Sequence, residues 1–214
     1  MKPILNIFII IAIFLFSCTV EGTLNDIEGG RSGVENKQPV VSKQMTLISK
    51  NPDRIKVYIS GVGTIEIDWG DGTEVKTYTI SPAYSSDFTH VYSGTAVHTI
   101  KISGENIAYL DCSNCRLISL DVSQNTALTE LYCYLNQLTG LDVSKNTALF
   151  SLDISTNQLD TGALDILFGT LHNHPVAEEK IIYIKKNPGT DNCRKYLAED
   201  KGWKVDTARE WIVQ

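Results

Sequence analysis

Leucines recur in this chain at Leu110, Leu120, Leu131, Leu141 and Leu152, in alternating steps of 10 and 11 residues. Five positions after each stands Cys115, Asn125, Asn136, Asn146 or Asn157. Leu110-Asp-Cys, Leu131-Tyr-Cys and Leu152-Asp-Ile occupy the same place in a 21-residue step, and Leu120-Asp-Val and Leu141-Asp-Val form a second series nested inside it. A fixed period of this length is the signature of stacked coils, each too small to bury its apolar side alone. The leucines then point inward, and each Asn offers its amide to loop backbone groups that lack a ladder partner. Coils stack at about the inter-strand spacing of 4.7–4.9 Å. The two and a half coils of residues 107–159 therefore make a short slab that needs a cap at each end.

The rest of the chain divides around that slab. Its 214 residues, 43% hydrophobic and 21% charged, have the composition of a globular protein with room for one ordinary domain or two small ones. The net charge of −6, with no local cluster of Lys and Arg, argues against nucleic acid or anionic lipid as a partner. Residues 1–17 read as a secretory leader: Lys2 precedes an apolar run from Ile4 to Phe16, broken only by Asn6. That run is too short to span a bilayer, which needs about 20 apolar residues. Residues 18–43, with Gly22, Gly29, Gly30, Gly33 and Pro39, read as a flexible tether.

Leu15-Phe16-Ser17-Cys18 resembles the lipobox of bacterial lipoproteins, although Phe16 is bulkier than the small residue usual there. The resemblance implies cleavage before Cys18 and lipidation of that residue. The alternative is an ordinary signal peptide with Cys18 an incidental thiol. Stable anchoring takes more than one acyl chain, so a multiply acylated Cys18 would hold the protein at the outer membrane, on the cell surface or the periplasmic face, with contact to the membrane through lipid alone.

Over residues 44–105 the hydrophobic period is two. Ile55, Val57 and Ile59, then Ile65, Ile67 and Trp69, then His98, Ile100 and Ile102 alternate with polar residues, as in a small antiparallel β-sandwich. Within it, Trp69-Gly70-Asp71-Gly72, followed by His90-Val-Tyr92, resembles the PKD family of immunoglobulin-like domains. Asp71-Gly72 is a hairpin signal because Gly accepts positive φ. Asp68 and Asp71 could be suspected as a calcium site, but Ca²⁺ takes six to eight oxygens, and a turn Asp bonding its own backbone is the simpler account. His90 is read as a hydrogen-bonded strand residue.

Residues 106–160 follow Leu-x-x-Leu-x-Cys/Val/Ile-x-x-Asn/Cys-x-Leu, which resembles the leucine-rich repeat in the nested form found in bacterial surface proteins. Residues 161–214 are similar to the C-terminal segment of the same lipoprotein family, with a helical run from Ala163 to Leu171, a strand at Ile181–Ile184, an Asn187-Pro-Gly turn and a short helix before Trp203. They read as a lid on the last leucines. The expected fold is mainly β with some α: a PKD-like sandwich docked on a short leucine-rich repeat solenoid, closed by an α/β cap.

No Ser/His/Asp spacing, paired-carboxylate motif or phosphate loop appears, so the chain is read as non-enzymatic, with no metal and no cofactor. Cys112-x-x-Cys115 has zinc-like spacing, but Cys112 falls on an inward position that is Cys133 in the next coil and Ile154 in the one after. A small filler explains it, with a Cys112–Cys133 bridge left open. His172 and His174 read as residues of a solvated loop. What stands apart is the outward face of the first series, where Tyr109, Glu130, Tyr132, Tyr134 and Asp153 form the expected ligand patch. Tyrosines on a rigid sheet offer area at low entropic cost together with a polar tip. The opposite series carries only Ser, Asp and Gly. The expected function is recognition of polysaccharide or protein at the cell envelope, the alternative being a structural spacer or assembly subunit. Labelled palmitate fed to cells is expected to enter the wild-type chain and not the Cys18→Ala variant; incorporation that persists in the variant removes the anchor.

Overall fold

The computed structural model describes residues 43–50 and 52–208. The expected leader, Cys18 and all but the last residue of the expected tether lie outside them. The fold is mainly β, built on one large mixed sheet. The described strands are β1 (Gln44–Lys50), β2 (Arg54–Asp68), β3 (Lys76–Ile80), β4 (Ser86–Val91), β5 (Val97–Ser103), β6 (Asn106–Asp111), β7 (Leu117–Asp121), β8 (Glu130–Tyr132), β9 (Ser151–Asp153), β10 (Lys180–Tyr183) and β11 (Trp203–Asp206). Helix α1 (Thr161–Thr170) lies between β9 and β10, and α2 (Tyr196–Glu199) before β11.

Strand β2 organises the N-terminal half. Ile55, Val57, Ile59, Ile65 and Ile67 alternate inward along it and are buried. Its first half pairs antiparallel with β4 on one edge and β6 on the other; its second half pairs with β3 and β5. The change of partners falls at Gly61, where the β2–β6 register shifts. A Cβ there would overlap the Asn106 carbonyl oxygen, so only glycine lets β6 come this close. Strand β1 makes a second such link, with Leu47 opposite both Ile100 of β5 and Leu120 of β7.

The expected border at 105/106 is therefore crossed twice by backbone hydrogen bonds, through β2–β6 and β1–β7. The N-terminal strands do more than dock on the first coil; they hydrogen-bond to both of its sides. Such continuity leaves no open strand edge at that end of the stack.

Strands β6, β8, β9, β10 and β11 form a parallel ladder, with Leu110, Leu131, Leu152, Ile182 and Val205 in register. The leucines of both nested series are buried, as are Ile107, Leu117, Leu128, Leu138, Leu149 and Leu159. In the second series only β7 is a strand, since it alone has β1 beside it. The later coils keep contact there by single bonds, Gln137 N to Leu117 O at 2.8 Å and Gln158 N to Leu138 O at 2.9 Å.

Asparagine columns bind the coils from within. Asn136 Oδ1 accepts from Cys115 N and Leu117 N, and its Nδ2 donates to Cys112 O and Cys133 O, each at 3.0 Å. Asn157 repeats the pattern, accepting from Leu138 N and donating to Cys133 O and Ile154 O. Asn187 repeats it once more, accepting from Leu159 N and donating to Ile154 O and Ile184 O. Ile182-x-Ile184-x-x-Asn187 is thus a further coil, entered after α1 instead of after a half-turn. The expected lid extends the ladder as well as covering it. Cys112, Cys115, Cys133 and Cys193 are free thiols. Cys112 and Cys133 donate weakly to Tyr132 O and Asp153 O of the following coils, as small inward fillers.

Helix α1 starts at Asp160, whose carboxylate accepts from Ala163 N at 2.8 Å, and buries Leu164, Leu167 and Phe168. It ends on Lys201, whose ammonium donates to Phe168 O and Gly169 O, a cation where the helix dipole favours one. His172, expected in a solvated loop, is buried. Its ring lies edge-on to Trp203, its Nε2 is 2.6 Å from Leu149 O, and burial lowers its pKa. Lys180 is also buried, with its ammonium on the His174 and Lys201 carbonyls and a pKa lowered by desolvation.

Asn125 heads the second column; among the described residues its amide nitrogen and oxygen have no partner, though both are buried. Asn136→Ala strands two amides and the Cys112 carbonyl, the Cys133 carbonyl keeping its bond from Asn157, and is expected to cost about 3 kcal/mol or more in urea denaturation, whereas Asn125→Ala is expected to cost less than about 1 kcal/mol. Equal losses would refute the columns as the main polar constraint.

Candidate functional site

Because the leucines of the parallel ladder point inward, their neighbours along each strand point outward. The strand registers then join one row of residues across seven strands: Asp87 on β4, Tyr58 on β2, Asp111 on β6, Tyr132 on β8, Asp153 on β9, Tyr183 on β10 and Asp206 on β11. Acid and tyrosine alternate along the whole row. Beside it runs a second row of Ser60, Tyr109, Glu130, Ser151, Ile181 and Lys204. The expected patch residues Tyr109, Glu130 and Tyr132 lie side by side in these rows, and Tyr134 follows at the end of β8; all four are half-buried.

The aspartates are fixed by their own turns. Asp111 Oδ1 accepts from Ser113 N at 2.9 Å, Asp153 Oδ1 from Ser155 N at 2.8 Å and Asp206 Oδ1 from Ala208 N at 2.7 Å. Asp121 and Asp142 of the second series do the same with Ser123 and Ser144. This local bond explains why Asp follows Leu110, Leu120, Leu141 and Leu152, while Tyr132 follows Leu131. It also orients a carboxylate at each of these turns, as a by-product. Asp153 must be taken out of the expected contact surface, because it is fully buried between its neighbours. The accessible acids at the centre are Asp111 and Glu130.

The rings of Tyr109 and Tyr132 are 5.6 Å apart and tilted by 48°. The Tyr132 hydroxyl donates to Glu130 Oε2 at 2.9 Å and lies 3.2 Å from Ser151 Oγ. Burial, followed by the charge of Asp111, raises the pKa values of Tyr109 and Tyr134. These hydroxyls therefore stay protonated, as neutral hydrogen-bonding tips. At one end of the row Lys56 Nζ sits 4.7 Å from the centroid of the Tyr58 ring and 3.3 Å from Asp87 Oδ2.

Tyr58, Asp87, Tyr183 and Asp206 escaped the sequence reading. Nothing in the sequence pairs β2 with the first coil, so Tyr58 and Asp87 carry no local signal. Tyr183 does carry one, since Ile182-x-Ile184-x-x-Asn187 has the same spacing as Leu152-x-Ile154-x-x-Asn157.

The other candidates resolve into structure. Asp68 and Asp71 each cap their own turn, accepting from Gly70 N at 2.9 Å and Thr73 N at 3.1 Å. Gly70 has φ of 74° and its α-carbon packs against the Thr99 carbonyl, so it admits no side chain. His90 bonds Asp71 Oδ2 at 2.6 Å and stacks on Trp69 with centroids 5.0 Å apart, while the Tyr92 hydroxyl donates to Trp69 O at 2.8 Å. The turn is thereby pinned to the sheet beneath it. Among the described residues no group of three or more His, Cys, Asp or Glu side chains is placed to hold a metal ion. A polar depression of about 370 Å³, lined by Asp53, Arg54, Asn114 and Arg116, lies at the loop after β6, where Arg116 pairs with Asp53 at 3.3 Å.

The Thr73 hydroxyl, followed by His90, lowers the Asp71 pKa well below the usual carboxylate range. A depressed folded-state pKa contributes stability that is present above the unfolded value, about 3.9, and is lost as the pH falls through the folded one. The stability difference between wild type and Asp71→Asn is therefore expected to be constant above about pH 5 and to shrink below about pH 4, as read by denaturation at each pH. A difference that widens in acid contradicts this assignment.

With the ladder, its outward face and the pinned turn described, comparison with protein-family models, with curated proteins and with solved structures finds no match to this chain.

Proposed function

We propose that this protein is a non-catalytic recognition module of a bacterial envelope, tethered by a lipid on Cys18 and binding polysaccharide or protein ligands through the outward face of its parallel ladder. On this reading the N-terminal strands are a PKD-like sandwich, the coils are nested leucine-rich repeats, and the α/β segment is their cap. The turn of Trp69, Asp71 and His90 supports the first assignment, and the 21-residue register with its Asn columns supports the second.

One observation carries the functional reading: Tyr109, Tyr132 and Tyr134 are gathered with Asp111 and Glu130 on a single sheet face, while the second series presents Ser, Asp and Gly at the equivalent positions. Coil geometry demands inward leucines and column asparagines; it makes no demand for aromatic rings outside. Rings held by a rigid ladder lose little entropy when a ligand covers them. The acids between them supply acceptors for hydroxyl or N–H donors.

A glycan array and a pull-down from envelope extract, both with the mature chain, are the direct test. The Tyr132→Ala/Tyr134→Ala double variant is expected to lose at least about tenfold in affinity for the ligand found, with the fold intact by circular dichroism. Unchanged binding to every ligand found would take this face out of the function.

A further inference from the structure

We propose that the Asp111 step of the row, between Tyr58 and Tyr132, binds the ε-ammonium group of a lysine from a partner protein. This rests on the reading of the face as a recognition surface and names the chemistry of its ligand.

The molecule carries its own template for the contact. Tyr58 and Asp87 are register partners on adjacent strands, and the ammonium of Lys56 sits against both, 4.7 Å from the ring centroid and 3.3 Å from Asp87 Oδ2. A tyrosine and a carboxylate one strand apart thus hold a lysine: the hydroxyl oxygen and the ring attract the cation and the carboxylate pairs with it. The next step repeats the arrangement. Asp111 stands opposite Tyr58 on one side and Tyr132 on the other, with Tyr109 two residues before it on its own strand and Tyr134 near enough to feel its charge. Its Oδ1 is fixed by Ser113 N, so the carboxylate is oriented before a ligand arrives. Asp153 likewise stands between two tyrosines in register, Tyr132 and Tyr183, but is fully buried, which limits the site to Asp111 and the acid beside it, Glu130. The net charge of −6 favours approach by a basic segment.

The test uses a fluorescein-labelled octalysine peptide, read by anisotropy at low salt against the mature chain, with a glucosamine tetramer as the competing source of ammonium groups. The peptide is expected to bind the wild type, and Asp111→Asn and Tyr132→Leu are each expected to weaken it about tenfold. Asn keeps the oxygen that accepts from Ser113 N, so the turn survives that substitution. Asp121→Asn, which removes one charge from a turn of the same design on the other series, is expected to change nothing.

Equal weakening by Asp121→Asn and Asp111→Asn, or indifference to Tyr132→Leu, means attraction by net charge alone and overturns the proposal. Binding of the glucosamine tetramer without the peptide overturns it too. If the peptide fails while another ligand still depends on Tyr132 and Tyr134, the ammonium assignment falls and the recognition face stands. If every ligand is indifferent to those tyrosines, both fall.

Discussion

A coil of ten or eleven residues per half-turn has to bend its backbone inward, and each bend buries amides and carbonyls that no strand reaches. Leaving such groups unpaired costs about 1–3 kcal/mol each, which a few buried leucines at about 1.5–3 kcal/mol apiece would not offset across several bends. The side-chain amide of asparagine answers this, because it accepts and donates at once and is short enough to lie inside the bend. Asn136 serves four backbone groups of two coils, and Asn157 and Asn187 continue the series. Leucine packing and the register of the parallel ladder both depend on these bends recurring from coil to coil.

The two ends of the stack meet a different requirement, which is to cover the leucines of the end coils and to pair their strands. At the N-terminal end strands β2 and β1 meet it by hydrogen bonding to the first coil, while β2 also carries the pinned turn of Trp69, Asp71 and His90. At the C-terminal end α1 covers the leucines and β10 and β11 prolong the ladder. With β2 shared between the N-terminal strands and the coils, a disturbance at Gly61 is felt on both sides. The chain from β1 to β11 is thus bound to behave as one cooperative structure and not as a sandwich, a stack and a lid in series.

How much of this the sequence discloses follows from the range of each interaction. Periodicity is local, so the inward leucines, the column asparagines and the alternation of β2 are readable from single positions, and so is the Asp71-Gly72 turn. The outward placement of Tyr109, Tyr132 and Tyr134 follows from the same period. Pairing between distant strands has no local trace. For that reason Tyr58 and Asp87 were absent from the expected patch and the β1–β7 contact was not foreseen. The burial of Asp153 has no local trace either: alternation assigns a side chain to a face but says nothing of whether large neighbours cover it. Asn187 carries the column spacing in the sequence, but Pro188 and Gly189 give it the look of an ordinary turn.

The head of the second column has a bearing on how such a molecule changes size. Among the described residues both amide atoms of Asn125 stand there without a partner, and Asn146 after it donates to Val122 O and Asn125 O with its own oxygen unpaired, whereas the bends of Asn136, Asn157 and Asn187 repeat one pattern. A duplicated 21-residue unit would meet the same bends above and below it, so the stack can lengthen without redesign of its interior. Each added unit widens the outer face by one strand spacing, about 4.8 Å, and brings one more pair of outward positions. Chain length and ligand reach are thereby coupled in fixed increments, like rungs on a ruler.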